Sequence, residues 1–600
     1  MKISAKPHSH WKKQSHAPPG KATPACDSFH ARGVSAAAGG NTELAASLFV
    51  QAIQLGGPRV EYCFSLAKVL QACGNYGAAA ACYRQAIAGA PGNIPLHLSL
   101  ARVLLQDQRL ADAIAVLKLT LTAQPDVAEA WALLGGALSL AGQTLTAMEA
   151  LQQAVALDPE QAGFHYDLGV VLGQLGDLKQ AEAAYRRALQ VKGHFPEALN
   201  NLGNLLRRRN AAAEAVICFR RALRYRPGHK DATYNLGLAL QDLNLLEDAG
   251  TCYEAVLAMD STHHAASNNY ANVLAGQDKI DGALFHYERA LQFAPDNREY
   301  RVNIGMAQLL NGEFSLGWQN YAARVAPAVP DRPLWHGESI EGQSILVLAE
   351  QGLGDTLQFI RYSRLLQAQG GVVRAVCQAP LVELLRSTPG LTSVTATGDP
   401  APACDWYAPL LHLPGFFGTT VDSIPAETPY LLAGSERVRQ WGELLKIPES
   451  HLKVGIAWRG AAEHWNDRNR SLDPEHLAHL AGVPDTAFVS LQKGYREGSG
   501  PLPFVRLPRE LTDFADTAAL MAHLDLVISV DTSVTHLAGA LARPVWTLLP
   551  YAPDWRWLRS RTDSPWYPGM KLFRQERRGD WRGVLERVRE ELMQIQKPKQ

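Results

Sequence analysis

The sequence predicts two fold classes in one chain: an α-helical repeat superhelix, then an α/β domain of two parallel-sheet lobes. Three observations carry that prediction. From Cys26 onward, small and apolar residues recur with a period of 34, the mark of stacked helical repeats. Leu526 to Leu549 reads as a complete strand, turn, helix and strand with polar residues at its first turn. Ser344 to Gln369 opens in the same way, an apolar strand running into a glycine loop and a helix.

Size and charge bound the rest. Six hundred residues exceed a single core, so several domains are expected. Lysine plus arginine and aspartate plus glutamate both number 58, which excludes a global basic field for nucleic acid or an anionic membrane. The eight cysteines include no C-x-x-C pair and sit mostly on helical patterns, so they read as buried thiols of a reducing compartment. Residues 1–25 hold five lysines, three histidines and no acid, without the apolar core of a secretory signal. A disordered basic tail is expected there. No stretch approaches the roughly 20 apolar residues that span a bilayer, so no transmembrane segment and a cytoplasmic location are expected.

The repeat array is read over residues 26–325. A small residue recurs at Ala79, Ala113, Ala147, Ala181, Ala215, Ala249 and Ala283, and a large one four positions later at Tyr83, Leu117, Leu151, Tyr185, Phe219, Tyr253 and Tyr287. Small residues suit a close helix crossing and large ones fill the space beside it. A closing proline falls at Pro91, Pro125, Pro159, Pro227 and Pro295, replaced by Gly193 and Ser261 in two repeats. This register resembles the tetratricopeptide repeat, which implies nine units, atypical at both ends, whose concave groove takes protein or peptide. Asn201, Asn235, Asn269 and Asn303 are spaced at 34 on the first helices of four successive units. An amide offers donors and an acceptor to a peptide backbone. The column is similar to that of the O-linked N-acetylglucosamine transferases, where an asparagine ladder holds the acceptor; it is equally a frequent feature of tetratricopeptide repeats at large.

Residues 326–343 carry Pro327, Pro330 and Pro333 without clean periodicity and read as a linker. A first lobe follows over 344–432. Ser344 to Ala349 is an apolar strand, Gln351-Gly352-Leu353-Gly354-Asp355 a glycine loop, and Thr356 to Gln369 a helix. Glycines let a backbone approach a ligand, and Asp355 sits where a carboxylate either caps a helix or serves chemistry. Val372 to Cys377, Thr392 to Ala396 and Asp405 to Leu411 are further strands. The second lobe spans 433–600, with strands at Lys453 to Trp458, Phe488 to Leu491, Leu526 to Val530 and Val545 to Leu549. Basic Arg468 to Arg470 follow the first of these, and Gln492-Lys493-Gly494 the second. Asp531, Thr532 and Ser533 are N-cap types ahead of a helix at His536 to Leu541, so backbone N–H groups are expected to face an anion at the sheet's carboxyl edge. Aromatic and basic residues from Tyr551 to Tyr567 suit either stacking of a base or sugar or packing between lobes.

Asp531-Thr532-Ser533, His536-Leu537-Ala538 and Pro544 together resemble the nucleotide-sugar motif of heptosyltransferase-like glycosyltransferases (family 9), whose GT-B fold sets two Rossmann-like lobes face to face. That resemblance implies a nucleotide-diphosphate sugar as co-substrate, held by Gly352, Gly354, Lys493, Asp531, Thr532, Ser533 and His536. It implies Asp355 as the catalytic base, and a terminal helix at Asp580 to Ile595 that returns to the first lobe. The sequence carries no H-x-x-x-H, H-E-x-x-H or C-x-x-C pattern, so no metal and no resident cofactor are expected. Three functions stay open: a glycosyltransferase acting on a protein that the repeats recruit, a catalytically inactive repeat scaffold, and a heptosyltransferase-like enzyme of lipopolysaccharide sugars.

Overall fold

The computed structural model describes residues 24–464, 466–495 and 500–595. The predicted basic tail lies, but for its last two residues, outside them. The chain divides into two compact units, Met1–Asn244 and Leu245–Gln600.

The first unit is all helical. From Val60–Ala72 and Tyr76–Gly89 onward, helix pairs restart every 34 residues, at Ile94, Ala128, Ala162, Pro196 and Lys230. Ala79, Ala113, Ala147, Ala181 and Ala215 are each 0 % exposed, and the large residues four positions later are buried with them. The close crossing is made with glycine from the first helix of the pair. A Cβ on Gly135, Gly169 or Gly203 would lie 2.5, 2.7 or 2.6 Å from Leu151, Tyr185 or Phe219. The closing prolines also have a bonding role. Pro91, Pro125 and Pro159 carbonyls accept from His97, Trp131 and His165 six residues on, at 2.9, 2.8 and 2.8 Å.

The second unit begins with five more helices of the same pattern, Leu246–Met259, His264–Gly276, Ile280–Phe293, Arg298–Leu310 and the short Phe314–Tyr321. Residues 322–343 contain neither helix nor named strand, but Trp335 is buried and its N–H donates to the Tyr407 carbonyl at 2.9 Å. Two parallel sheets follow. The first comprises β1 (Ser344–Leu348), β2 (Val372–Cys377), β3 (Ser393–Ala396) and β4 (Trp406–Pro409) in the order β3-β2-β1-β4. The second comprises β5 (Leu452–Ala457), β6 (Thr486–Ser490), β7 (Phe504–Val505), β8 (Leu526–Val530), β9 (Val545–Leu549) and β10 (Met570–Arg574), in the order β10-β9-β8-β5-β6-β7. Strands β1, β5, β8 and β9 are buried along most of their length, as sheets covered on both faces require.

One apolar core runs from the last repeats into both lobes, joining Ile304, Phe314 and Trp318 to Leu357, Phe359, Trp555 and Trp566. Trp318 donates its indole N–H to the Thr419 carbonyl at 2.9 Å and meets the Trp555 ring edge-on at 5.2 Å. A second core lies on the other side of the larger sheet.

Two local expectations are corrected. The single helix read over Thr356 to Gln369 is a helix Leu353–Phe359, a 3₁₀ turn Ile360–Tyr362 and a helix Ser363–Ala368, the turn carrying the buried Arg361. The terminal helix, Trp581–Gln594, stays on the second lobe. Its stripe Trp581, Val584, Leu585, Val588 and Leu592 completes that lobe's own core with Leu477 and Leu480, because those apolar positions at helical spacing find their partner surface there.

Candidate active site

The strand orders locate the site before any side chain is considered. In each sheet the order reverses direction once, between β1 and β4 and between β5 and β8, and loops at the carboxyl ends of such neighbours open a crevice. The loop after β1 ends at Gly352 and leads into helix Leu353–Phe359, which carries Gly354 and Asp355; the loop after β8 holds Asp531 and Thr532 and leads into helix Ser533–Ala540.

These two segments meet. Helix Leu353–Phe359 packs its amino end against that of helix Ser533–Ala540. A Cβ on Gly354 would stand 3.0 Å from His536 Cδ2 and 3.6 Å from Ser533 Cα, so the missing side chain permits this approach between lobes. Gly352 donates its N–H to Asp355 Oδ2 at 2.8 Å, a cap on the short helix. Thr532 is the N-cap of the other helix, its hydroxyl accepting from Val534 N–H at 3.3 Å. That helix begins three residues earlier than the sequence suggested.

Arg556, just beyond β9, is the hub. It donates to Asp355 Oδ1, to Gln358 Oε1 at 2.8 Å and to Asp554 Oδ1 at 2.7 Å, and its guanidinium lies 4.3 Å from the Trp555 ring centroid. Burial disfavours its charge, but the Asp554 and Asp355 carboxylates outweigh that and hold its pKa above the ordinary value. Burial pushes the Asp355 carboxyl up, against the pull of Arg556. Burial, with Asp554 next, pushes Asp531 up to about 6. His536 is pushed well down by burial and then by Arg556, Arg361 and Arg470, so it is a neutral imidazole. It shares a hydrogen bond of 3.0 Å with the Tyr567 hydroxyl through Nδ1, stacks on Trp557 at 5.4 Å, and sets Nε2 4.0 Å from Asp531 Oδ1.

A conspicuous cation stands on the loop after β5. The Arg470 side chain is 15 % exposed, its nearest carboxylate contact is a long 3.8 Å from Nε to Asp467, and Nε has no hydrogen-bond partner among the described residues. Lys493 is exposed in the loop after β6, beside Gly494 at φ +74°. Because β6 is two strands from β8, the loops of Lys493 and Asp531 leave the sheet about 10 Å apart.

Thus Gly354, Asp355, Ser533 and His536 come together, Asp531 stands beside His536, and Lys493 lies to one side. Sequence reasoning noted Arg470 in a basic loop and Arg556 among aromatic and basic residues without giving either a place in the site, and it passed over Asp554 and Gln358. The position of Asp554-Trp555-Arg556 just past a strand beside β8 was the available signal. The aromatic residues there serve packing, since Trp555, Trp557, Trp566 and Tyr567 are at most 3 % exposed. Among the described residues no group of three His, Cys, Asp or Glu could hold a metal ion.

The asparagine column splits between the units. In the first, Asn235 donates to Asn200 Oδ1 at 2.9 Å, Asn200 to Asn201 Oδ1 at 3.3 Å, and Asn201 to the Tyr166 hydroxyl at 3.3 Å. In the second, Asn303 donates to Asn268 Oδ1 at 2.9 Å and Asn268 to Asn269 Oδ1 at 3.3 Å. Asn200 and Asn268 are buried. The amides at 34-residue spacing are therefore linked through the asparagine that precedes them.

Known proteins match the two parts separately. Residues 31–276 match the model of the cilia and flagella-associated protein 70 C-terminal domain, and residues 507–566 match glycosyltransferase family 9 (heptosyltransferase). The second match contains β8, β9, Asp531, His536 and Arg556. The chain is 27 % identical over 350 residues to the protein FlbA of Caulobacter vibrioides, covering 52 % of this chain and 58 % of that relative. Among solved structures, YrrB, a TPR protein with an unusual peptide-binding site, matches at 21 % identity over 31 % of this chain and 95 % of its own, with a TM-score of 0.28. PilF of Pseudomonas aeruginosa matches at 22 % identity over 32 % of this chain and 88 % of its own, with a TM-score of 0.30. The chain carries tetratricopeptide-like helical repeats followed by Rossmann-like parallel-sheet lobes, and the glycosyltransferase family 9 match lies in the second of these lobes. No described helix is long and apolar enough to cross a membrane.

Proposed function

We propose that the chain is a metal-independent glycosyltransferase of GT-B type that moves a sugar from a nucleotide-diphosphate donor to a protein recruited by the repeats. The observation that carries this reading is the meeting of two switch-point segments, Gly354 against Ser533 and His536, the latter two inside residues 507–566, which a glycosyltransferase model matches. In this scheme the donor diphosphate lies at the amino end of helix Ser533–Ala540, where aligned N–H groups favour negative charge, with Arg470 and Lys493 as further cations. Neutral His536 can donate to a phosphate oxygen without a charge of its own. Asp355 accepts the acceptor's proton as the new glycosidic bond forms. It is released for that role when the substrates draw Arg556 toward the departing diphosphate, leaving Asp554 to hold the arginine. In the first unit Asn201 and Asn235, and in the second Asn269 and Asn303, offer amides to an acceptor backbone.

A second reading, the inactive scaffold, is supported by the tightness of the same contact. Asp355 is both cap and ion-pair partner, and His536 is 4 % exposed. Melting the protein with a panel of nucleoside diphosphates separates the two, since a ligand that binds only the folded state raises the Tm. A diphosphate-dependent shift, followed by sugar transfer to protein, supports the transferase. No shift with any base supports the scaffold, and transfer to a lipopolysaccharide sugar in place of protein supports the heptosyltransferase-like alternative.

A further inference from the structure

The chain has no net charge, but residues 178–230 do. They hold twelve lysines and arginines against three glutamates, a local +9. The charge concentrates on two successive second helices of the repeats, Leu178–Val191 and Ala212–Tyr225, and on the turn between Arg207 and Arg209. Arg186 and Arg187 recur one repeat later as Arg220 and Arg221. Part of the set is held in place. Glu182, 15 % exposed, takes Arg186 at 2.9 Å and also Arg209, while Glu160 takes Arg187 at 2.8 Å. On Ala212–Tyr225, Arg221 and Arg224 are exposed and form no ion pair among the described residues. Beside them on Ala212–Tyr225 stand two large apolar side chains in water, Ile217 at 60 % and Tyr225 at 49 % exposure.

We propose that this face is a docking surface for an acidic protein segment. It is separate from the asparagine column, which lies on the first helices of the repeats. Three features select this partner. The cations are chiefly arginine, whose planar fork pairs a carboxylate through two parallel hydrogen bonds. Arginine and tyrosine around an aliphatic residue is the composition of protein interface hot spots. The surface is also prearranged, because acids within the array hold neighbouring arginines in position and less side-chain freedom is lost on binding.

The test is fluorescence anisotropy of the full chain with a dye-labelled helical peptide of glutamates carrying leucines at every fourth position. Polyglutamate, a DNA duplex and phosphatidylserine vesicles serve as competitors. The surface predicts that Arg221→Glu/Arg224→Glu weakens the peptide by about tenfold or more. Ile217→Ala/Tyr225→Ala should weaken the leucine peptide about fivefold and polyglutamate not at all. If charge reversal changes the melting curve, the corresponding double glutamine variant should still lose about fivefold. Affinity within about twofold of wild type in a double variant that melts normally overturns the proposal, as does tighter binding of DNA or vesicles than of the peptide.

Discussion

Arg324 and Glu350 form a bidentate ion pair at 2.8 and 3.3 Å in which each side chain is 6 % exposed. Arg324 follows the last repeat helix and Glu350 lies two residues past the end of β1, one residue before the Gln351 that opens the glycine loop. The pair is further held by the Leu411 N–H at 3.0 Å, by His412, kept neutral with its pKa pushed down to about 4 by burial and by Arg324, and by the Tyr321 ring under the guanidinium. The end of the repeats therefore sets the root of the loop that leads to Asp355.

Breaking that pair should be costly. Arg324→Ala leaves Glu350 buried and uncompensated, a loss of about 3 to 5 kcal/mol. Arg324→Met with Glu350→Gln should recover more than half of it in urea unfolding, because neither variant side chain carries a charge. A single and a double variant of equal stability would show that the two side chains do not act as a pair.

Asp355→Asn keeps the shape of the cap but removes the charge facing Arg556. Since Arg556 retains Asp554 and Gln358, the expected stability loss is only about 1 to 3 kcal/mol. Sugar transfer, by contrast, should fall about 10² to 10⁴-fold with donor binding kept. Full transfer in the variant would remove Asp355 from the role of base.

Arg470→Ala and Lys493→Ala should each weaken a nucleoside diphosphate by about 1.5 to 3 kcal/mol and leave the nucleoside nearly untouched. Titration calorimetry with both ligands checks this. The larger effect is expected at Arg470, in the segment that follows β5, the strand beside β8, because Lys493 is exposed and follows β6, two strands away. Equal loss for nucleoside and diphosphate would place both cations outside a phosphate site.

Replacing Asn201, Asn235, Asn269 and Asn303 with alanine should weaken a protein acceptor and spare nucleotide binding. Asn235→Ala and Asn303→Ala should also cost about 1 to 2 kcal/mol of stability, because each strands a buried amide oxygen, of Asn200 or of Asn268. Unchanged acceptor affinity in a folded quadruple variant would leave the column a structural feature of the repeats.

Asp531 gives a pH signature. Its carboxyl loses a proton near 3.8 when unfolded and at about 6 when folded. Between those values the folded chain binds the extra proton, so stability falls as pH rises through this window, by about 3 kcal/mol in all. Asp531→Asn should therefore melt higher than wild type at pH 7.5, with the gap closing toward pH 4. A constant difference across that range would count against a raised carboxyl.

The repeat periodicity, the glycine loop and the strand pairs of the two switch-point units could all be read along the chain, because each depends on neighbours within a few residues. Ala79 and its successors at 34-residue spacing are small because one helix crosses another close by, and β8 and β9 are continuous apolar runs because sheets covered on both faces admit nothing else. Asp355 and Asp531 were legible as loop residues at carboxyl ends of strands. What they touch was not. Arg556 stands 201 positions from Asp355 and reads locally as one of several arginines among tryptophans; only the packing of one lobe on the other makes it a hub. The glycine at 354 signalled a close backbone approach, but whether to a ligand or to His536 was decided by the neighbouring helix. The terminal helix announced its apolar stripe, and the choice of lobe to cover fell to the surface left open there. Local sequence determines which elements form and which faces seek burial, while the identity of a buried charge's partner depends on where distant elements come to rest. That is why the candidate loops were readable and the charge network joining them was not.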